Sequence, residues 1–291
     1  MKKGLLYTVI AAVLFVTLEP ISKIISNDVT PYAITFWRFI IGAVVLLPLA
    51  VAKIKKDKLH IGWKDIGIMT ALGILFICIS MVALQIGVKK ADSPSLIAII
   101  FSSNSVFTIV LAVFILKEKL TKNKIIALCF GIAGVIACAD FSGGTNLESV
   151  LLAVFAALTF SLYTVLSQKY MKRFGGVVQT SIIFLSGSIV LLIALLILGV
   201  DVMPSFEVKS WATLGYLGFL ITGLGYSLYF KAIEKGGSIM GSLAFFIKPI
   251  LTPFVTLVIN GIAPDIMVFV AVACIVAASY FATYKKPKKT V

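Results

Sequence analysis

The sequence predicts an all-α integral membrane protein, with ten transmembrane helices in two five-helix repeats of inverted topology. Composition, long uncharged runs and an internal repeat lead to this fold class. Of 291 residues, 60% are hydrophobic and 13% are charged, whereas a soluble domain carries about 25% charged residues. Because this chain would expose apolar surface to water in any fold, we expect it to lie in lipid.

The uncharged runs give the predicted spans. Residues 66–88 and 93–116 contain no charged side chain, and each run exceeds the roughly 20 residues that cross the hydrocarbon core. Since the bilayer offers no water to the backbone, such runs must be helical. Ten spans are predicted, at 4–25, 32–52, 66–88, 93–116, 125–139, 149–168, 177–200, 210–231, 238–260 and 265–284.

The basic residues predict the orientation. Most of the 26 Lys and Arg residues fall in segments that are cytoplasmic if the N-terminus is cytoplasmic. Loops on the cytoplasmic side carry an excess of such residues, so both termini are predicted to be cytoplasmic, in the plasma membrane. The net charge of +14 reflects this bias. We expect no nucleic-acid partner, because the lysines occupy short loops and not one soluble domain. The predicted outside segments hold Lys23, Lys89, Lys90 and Lys209.

An internal repeat appears when the sequence is aligned with itself at an offset of 145 residues. Ala11 and Ala12 then meet Ala156 and Ala157, and the pair at 72–73 meets the pair at 217–218. The same offset superposes all the predicted spans, so we expect one repeat at 1–142 and a second at 143–291. An odd number of spans per repeat inverts the second copy, an arrangement typical of secondary transporters.

Three motifs carry a family resemblance: TFWRFIIGAVVLL at 35–47, LAVFILKEKLT at 111–121 and YFKAIEKGGSIMGSLAFFIKPILTPF at 229–254. On these motifs the chain resembles the EamA-type, ten-span members of the drug/metabolite transporter superfamily. The resemblance implies a central cavity lined by spans 1–4 and 6–9, peripheral spans 5 and 10, and movement of small metabolites. The repeat mate of Glu118 is Ala263, where the family usually has a second glutamate, so no role is carried over for it.

Three charged residues lie well inside predicted spans: Glu19, Arg38 and Lys248. Each costs about 2.5–3.5 kcal/mol on a lipid-facing helix, so they should face the bundle interior. The matched depth of Glu19 and Arg38 favours a static ion pair, and a solute or gating contact is the alternative. For Lys248 we favour contact with the solute or titration during the cycle. The alternative is a lysine held by the carbonyls that Pro249 and Pro253 leave free.

Further candidates surround these charges. Thr252 and Thr256 follow Lys248 at helical spacing and form a polar stripe, and Asn104 belongs to a polar group in span 4. Tyrosines could form aromatic cavity walls, or else anchor at the interface or pack. Prolines could act as hinges. The tyrosines are Tyr163, Tyr226 and Tyr229, and the prolines are Pro20, Pro249 and Pro253.

The predicted function is secondary transport of a small polar metabolite by alternating access at a midplane cavity, with export as the expected direction. Arg38 and Lys248 against Glu19 leave the cavity one positive charge in excess, which suits an amino acid or an organic anion. A flippase or carrier for a lipid-linked headgroup is the alternative. We expect a solute, the bilayer and a coupling proton or ion as partners, and a monomer or homodimer.

An enzyme is disfavoured. The one histidine, His60, lies in a loop, and no HExxH motif or Ser-His arrangement is present. A Walker A loop is also missing, so the chain is not expected to use ATP. No cofactor or metal is predicted.

Overall fold

The computed structural model describes residues 2–115, 117, 121–138, 146–204, 207–236 and 238–283. Glu118, most of the predicted turn at 140–149 and the end of the chain lie outside these residues. Described segments form helices α1 to α14, with two π-helical segments, π1 and π2, in spans 3 and 8. In chain order they are α1 (Lys2–Val16), α2 (Leu18–Ile24), α3 (Pro31–Lys56), α4 (Trp63–Gly73), π1 (Ile74–Met81), α5 (Val82–Lys90), α6 (Pro94–Ser102), α7 (Asn104–Ile115), α8 (Lys122–Cys138), α9 (Leu147–Phe174), α10 (Gly176–Ile197), α11 (Val208–Gly215), π2 (Tyr216–Gly225), α12 (Tyr226–Gly236), α13 (Ser238–Asn260) and α14 (Ile266–Thr283).

Helices lie at every predicted span. Six described stretches are long and apolar enough to cross a membrane, and Ile247–Asn260 and Ile266–Ala278 are shorter apolar helices. Large apolar side chains stay exposed on the outside of the bundle; Ile136 on α8 and Ile266 on α14 are 54% and 69% exposed. Such a surface fits lipid rather than water. The chain is therefore an all-helical membrane protein in its described part, and the count of ten crossings stays a prediction.

Local sequence signals set the ends of α3. Thr30 precedes it, and its hydroxyl oxygen accepts a hydrogen bond from the Ala33 N–H at 3.1 Å, while Pro31 occupies the first helical position. Both are standard helix-starting signals. Lysines at 53, 55 and 56 fill the last turn, where cations stabilise the negative end of the helix dipole. Because α3 begins at Pro31, Arg38 lies two turns into the helix.

Helix packing repeats across the two halves. α1 packs against α12 and α13, and α9 makes the matching contacts with α5, α6 and α7. α3 packs against π2 as α10 packs against π1, while α8 packs against α14 at the periphery. π1 and π2 occupy overlapping positions under the 145-residue offset. Since π-helical turns are rare and often functional, their recurrence ties the sequence repeat to a repeat of backbone geometry.

Glycines permit the two matching helix crossings. A Cβ on Gly73 would lie 2.8 Å from the Ile183 carbonyl oxygen, and one on Gly187 would lie 2.9 Å from the Gly73 carbonyl oxygen. At the other crossing, a Cβ on Gly42 would lie 2.5 Å from Thr222 Cγ2. Gly42 and Gly187 are repeat mates. The close approach at both crossings therefore needs residues without side chains at Gly42, Gly73 and Gly187.

Candidate functional site

A cavity of about 110 Å³ lies between the helices of the two repeats. Its wall is mainly aromatic and aliphatic, with a few hydroxyls and two charged side chains, Arg38 and Lys248. The aromatic part of the wall is formed by Phe15, Phe101, Phe160, Tyr163, Tyr226, Tyr229 and Phe230. Concave apolar sites with few polar groups are typical of small-molecule binding.

Lys248 forms an ion pair with Glu19. Its Nζ donates to Glu19 Oε1 at 2.6 Å, and both side chains are almost wholly buried, with 6% and 1% exposed. Lys248 lies near the middle of α13, and Glu19 lies in the first turn of α2, just after the chain breaks its helix at Thr17. The Lys248 ammonium is also 5.6 Å from the centre of the Phe101 ring. The pair thus joins the first and second repeats beside the cavity.

Arg38 has a different partner. Its Nε donates to Thr222 Oγ1 at 2.9 Å, and the Thr222 hydroxyl donates to the Leu217 carbonyl oxygen at 2.8 Å within π2. The guanidinium lies 4.7 Å from the centre of the Phe39 ring. Arg38 Nη1 is buried and finds no hydrogen-bond partner among the described residues. An unpaired buried donor is costly, and the described residues supply no acceptor for Arg38 Nη1.

The predicted ion pair between Glu19 and Arg38 is wrong. Glu19 pairs with Lys248, so the alternative in which proline-freed carbonyls hold Lys248 is not what the structure has either. The prediction was based on the similar depth of the two residues in the membrane, but depth does not determine which helices are neighbours. α2 packs against α13, α5 and α6, so the carboxylate reaches Lys248. Glu19 Oε2 finds no hydrogen-bond partner in the described part of the chain.

The three predicted tyrosines all line the cavity. Phe15 holds Tyr226 and Tyr229 edge to face, at ring-centre distances of 5.2 and 6.3 Å. Tyr163 stacks on Phe76 at 4.6 Å with an interplanar angle of 12°. Such contacts fix the ring planes. The tyrosines therefore form a rigid aromatic part of the cavity wall.

The predicted threonine stripe and Asn104 are buried but do not line this cavity. The Thr252 hydroxyl donates to the Lys248 carbonyl oxygen at 2.7 Å, and Thr256 Oγ1 finds no partner among the described residues. The Asn104 amide donates to the Phe101 carbonyl oxygen at 2.7 Å. Thr252 and Asn104 therefore hold the backbone beside Lys248 and Phe101.

The prolines lie in two settings. Pro20 is buried in α2, shortly after the helix break at Thr17. Pro249 and Pro253 lie inside α13, which continues through both. The repeat mate of Lys248 is Ser103, where the corresponding span breaks between α6 and α7. Hinge motion at the prolines stays a prediction.

Thr222 is the site residue that the sequence analysis missed. It lies in LGFLITGLG at 217–225, a run that otherwise contains only apolar residues and glycine. A lone hydroxyl in such a run is the signal that could have identified it. The described residues contain no cluster of three or more His, Cys, Asp or Glu side chains that could hold a metal.

Comparisons with known proteins agree with this architecture. A solved crystal structure has the same fold over 97% of both chains, with a TM-score of 0.69 and 19% identity. An uncharacterized transporter of Clostridium kluyveri is 33% identical, over 99% of this chain and 95% of that protein. An S-adenosylmethionine uptake transporter of Rickettsia conorii is 24% identical, over 70% of this chain and 67% of that protein.

The family model covers nearly the whole chain, in two copies. The model of the EamA-like transporter family matches residues 2–139 and again residues 147–284. Together with the helical bundle and its apolar surface, these two matches identify the chain as a multi-pass membrane transporter and not an enzyme. The protein belongs to the EamA-like transporter family.

Proposed function

We propose that this protein is a secondary transporter for a small polar metabolite of the amino acid or organic anion class, which binds in the central cavity beside Arg38. The observation that carries the proposal is the buried guanidinium of Arg38. It lines the cavity, and its Nη1 finds no partner among the described residues. A carboxylate on the solute would supply the missing acceptor, since arginine binds carboxylates through paired N–H donors.

The charge balance supports an anionic group on the solute. Glu19 offsets the charge of Lys248 through the 2.6 Å pair, so the charge of Arg38 is the uncompensated one at the described cavity wall. Charges interact strongly in a water-poor site. A solute carboxylate would neutralise the site, whereas a purely cationic solute would meet the uncompensated positive charge of Arg38.

Alternating access is supported by the repeated packing. The cavity is lined by residues of both repeats, and each major helix contact has a counterpart in the other half. Two halves with the same contacts can exchange conformations around a fixed site. We propose ten spans with cytoplasmic termini, repeats at 1–142 and 143–291, and a proton or ion as the coupling partner.

Hydrogen bonds near the proposed outer surface support a state that is closed on that side. Lys23 Nζ donates to the Lys89 carbonyl oxygen at 2.9 Å and to the Ala91 carbonyl oxygen at 2.6 Å, which ties α2 to the end of α5. The Asn260 amide donates to the Pro20 carbonyl oxygen at 3.2 Å and ties α13 to α2. The cavity wall meanwhile extends to Thr180, four residues into α10, near the proposed cytoplasmic surface. We therefore propose that this state receives solute from the cytoplasm, as an exporter requires.

A flippase is less well supported. A cavity of about 110 Å³ suits a small solute better than a lipid-linked headgroup. The name of the Rickettsia conorii relative points to uptake of S-adenosylmethionine, a solute that carries a carboxylate. It is therefore included in the test, and transport is measured in both directions.

The test is counterflow in proteoliposomes. Purified protein is reconstituted and loaded in turn with amino acids, organic acids, S-adenosylmethionine and neutral polar solutes. We expect exchange of carboxylate-bearing solutes, and we expect Arg38→Gln to reduce it about tenfold or more, because a hydrogen bond to a charged group is worth about 1.5–3 kcal/mol. Lys90→Gln, in an exposed ion pair with Glu148, serves as the control. Exchange of neutral solutes alone, with no effect of Arg38→Gln, would refute the proposal.

A further inference from the structure

We infer that the solute is a small monocarboxylate with an apolar body and no ammonium group: the 2-oxo acid or simple carboxylic acid type rather than the amino acid type. This inference rests on the proposed function and narrows its solute class. It follows from which charges the cavity wall offers and which it does not.

The cavity wall offers no negative charge to an ammonium group. In the described part of the chain, Arg38 and Lys248 are the charged residues of the wall. Glu19 is 1% exposed and does not line the cavity; Lys248 occupies its Oε1 atom at 2.6 Å, and its Oε2 atom is buried without a partner among the described residues. The ammonium of an amino acid would therefore meet the uncompensated positive charge of Arg38 in a site with little water. Like charges in such a site repel strongly.

The wall does contain a group that can bind an anion, the Arg38 guanidinium, and a hydrogen bond fixes the orientation of this group. Thr222 accepts from Arg38 Nε at 2.9 Å, and its own hydroxyl is held by the Leu217 carbonyl oxygen. This hydrogen bond uses only Nε, and Nη1 finds no partner among the described residues. A single carboxylate would satisfy it and bring the net charge of the site to zero. A second carboxylate would exceed the available positive charge.

The remaining wall selects an apolar body of limited size. Phe15, Leu84, Phe101 and Phe160 face the cavity together with Met81, and they would bury a hydrocarbon chain or small ring. A dry cavity of about 150 Å³ holds one benzene molecule in another protein. The cavity of about 110 Å³ here therefore suits a short branched chain rather than a large ring system.

The test compares two solutes that share one carbon skeleton. Valine and 3-methyl-2-oxobutanoate differ at the α-carbon, where the oxo acid has a ketone in place of the C–H and ammonium. The oxo acid also stays ionised at neutral pH, so it does not leak through the bilayer as a neutral acid. Binding is measured by titration calorimetry on the purified protein, and transport by counterflow in proteoliposomes. A third solute, 3-methylbutanamide, has the apolar body without the charge.

We expect the oxo acid to bind and exchange at least tenfold better than either valine or the amide. In the Arg38→Gln variant, we expect the oxo acid to lose most of its higher affinity and exchange rate relative to the amide. The comparison among solutes uses the unaltered protein, so it holds even if the variant folds poorly. Valine that binds as tightly as the oxo acid, with dependence on Arg38, would overturn this inference and leave the proposed function standing. Equal binding of all three solutes would overturn both, because the site would not recognise charge. Absence of binding by all three would overturn the inference, while the wider solute panel would still decide the proposed function.

Discussion

Lys248 and Glu19 lie 229 positions apart in the chain, yet Lys248 Nζ donates to Glu19 Oε1 at 2.6 Å with both side chains buried. The pair ties the first span of one repeat to the fourth span of the other. A pair removed from water is costly to break, because the partner left behind is a buried charge without compensation. We therefore expect the protein to lose stability when one member of the pair is replaced, and to keep most of its stability when both are replaced.

Breaking this pair should destabilise the protein. We expect Lys248→Met to lower the free energy of unfolding by about 3–5 kcal/mol, since Glu19 is left unpaired. The double variant Glu19→Gln with Lys248→Met should recover most of the loss, and the coupling is read from thermal unfolding in detergent. Transport should fall about tenfold or more in Lys248→Met.

An exposed ion pair of the same length provides the control. Lys90 Nζ and Glu148 Oε2 are also 2.6 Å apart, but the side chains are 41% and 59% exposed. Glu148→Gln should cost less than about 1 kcal/mol, because water screens the pair. Equal losses in Glu148→Gln and Lys248→Met would contradict the argument from burial.

Thr222 should set the affinity for the solute through Arg38. Thr222→Val keeps the shape of the side chain but removes the hydroxyl that accepts from Arg38 Nε. We expect KM for the carboxylate solute to rise about tenfold or more with a smaller change in kcat, since the bond is to a charged group. Thr222→Ser should restore the affinity. Thr213→Val, at a hydroxyl bonded to the Lys209 carbonyl oxygen on α11, is the control, and a similar rise in KM there would argue against a specific role.

The crossing of α4 and α10 should not tolerate a methyl group. In Gly73→Ala the new Cβ would lie 2.8 Å from the Ile183 carbonyl oxygen and 3.0 Å from Gly187 Cα, so the two backbones would have to separate. We expect a loss of about 1–3 kcal/mol, typical of overpacking, measured as a lower Tm. Gly67→Ala, in the same helix with nothing within 4 Å of the new Cβ, should be neutral or slightly stabilising. The argument fails if both variants have the same Tm.

The proposed orientation can be tested by cysteine labelling. In a variant without the four native cysteines, Lys55→Cys should react with an impermeant thiol reagent only after the cells are opened. Met203→Cys, whose parent side chain is 64% exposed, should react from outside. The expectation follows from the excess of basic residues in the predicted cytoplasmic loops. Labelling in the opposite pattern would reverse the topology.

The sequence by itself predicted the helices, the family and the depth of the charges. Uncharged runs must be helical in lipid, so helices at all ten predicted ranges, including α3 and α10, follow from composition alone. Numbering along a helix gives depth, which placed Arg38 and Lys248 near a central cavity. The sequence left open whether the three tyrosines form cavity walls, anchor at the interface or pack, and the structure places all three at the cavity.

Only the tertiary structure decided which charges meet. Glu19 has Arg38 at similar depth, yet α2 packs against α13 and the carboxylate pairs with Lys248. A sequence fixes how far along a helix a side chain lies, but not which neighbour it faces, because that depends on helix rotation and crossing. For the same reason the sequence did not identify Thr222. Its hydroxyl lies next to Arg38 because of the geometry of π2 and the close helix approach at Gly42. Packing between distant segments therefore left Arg38 without an ion-pair partner among the described residues and made it the candidate solute receptor.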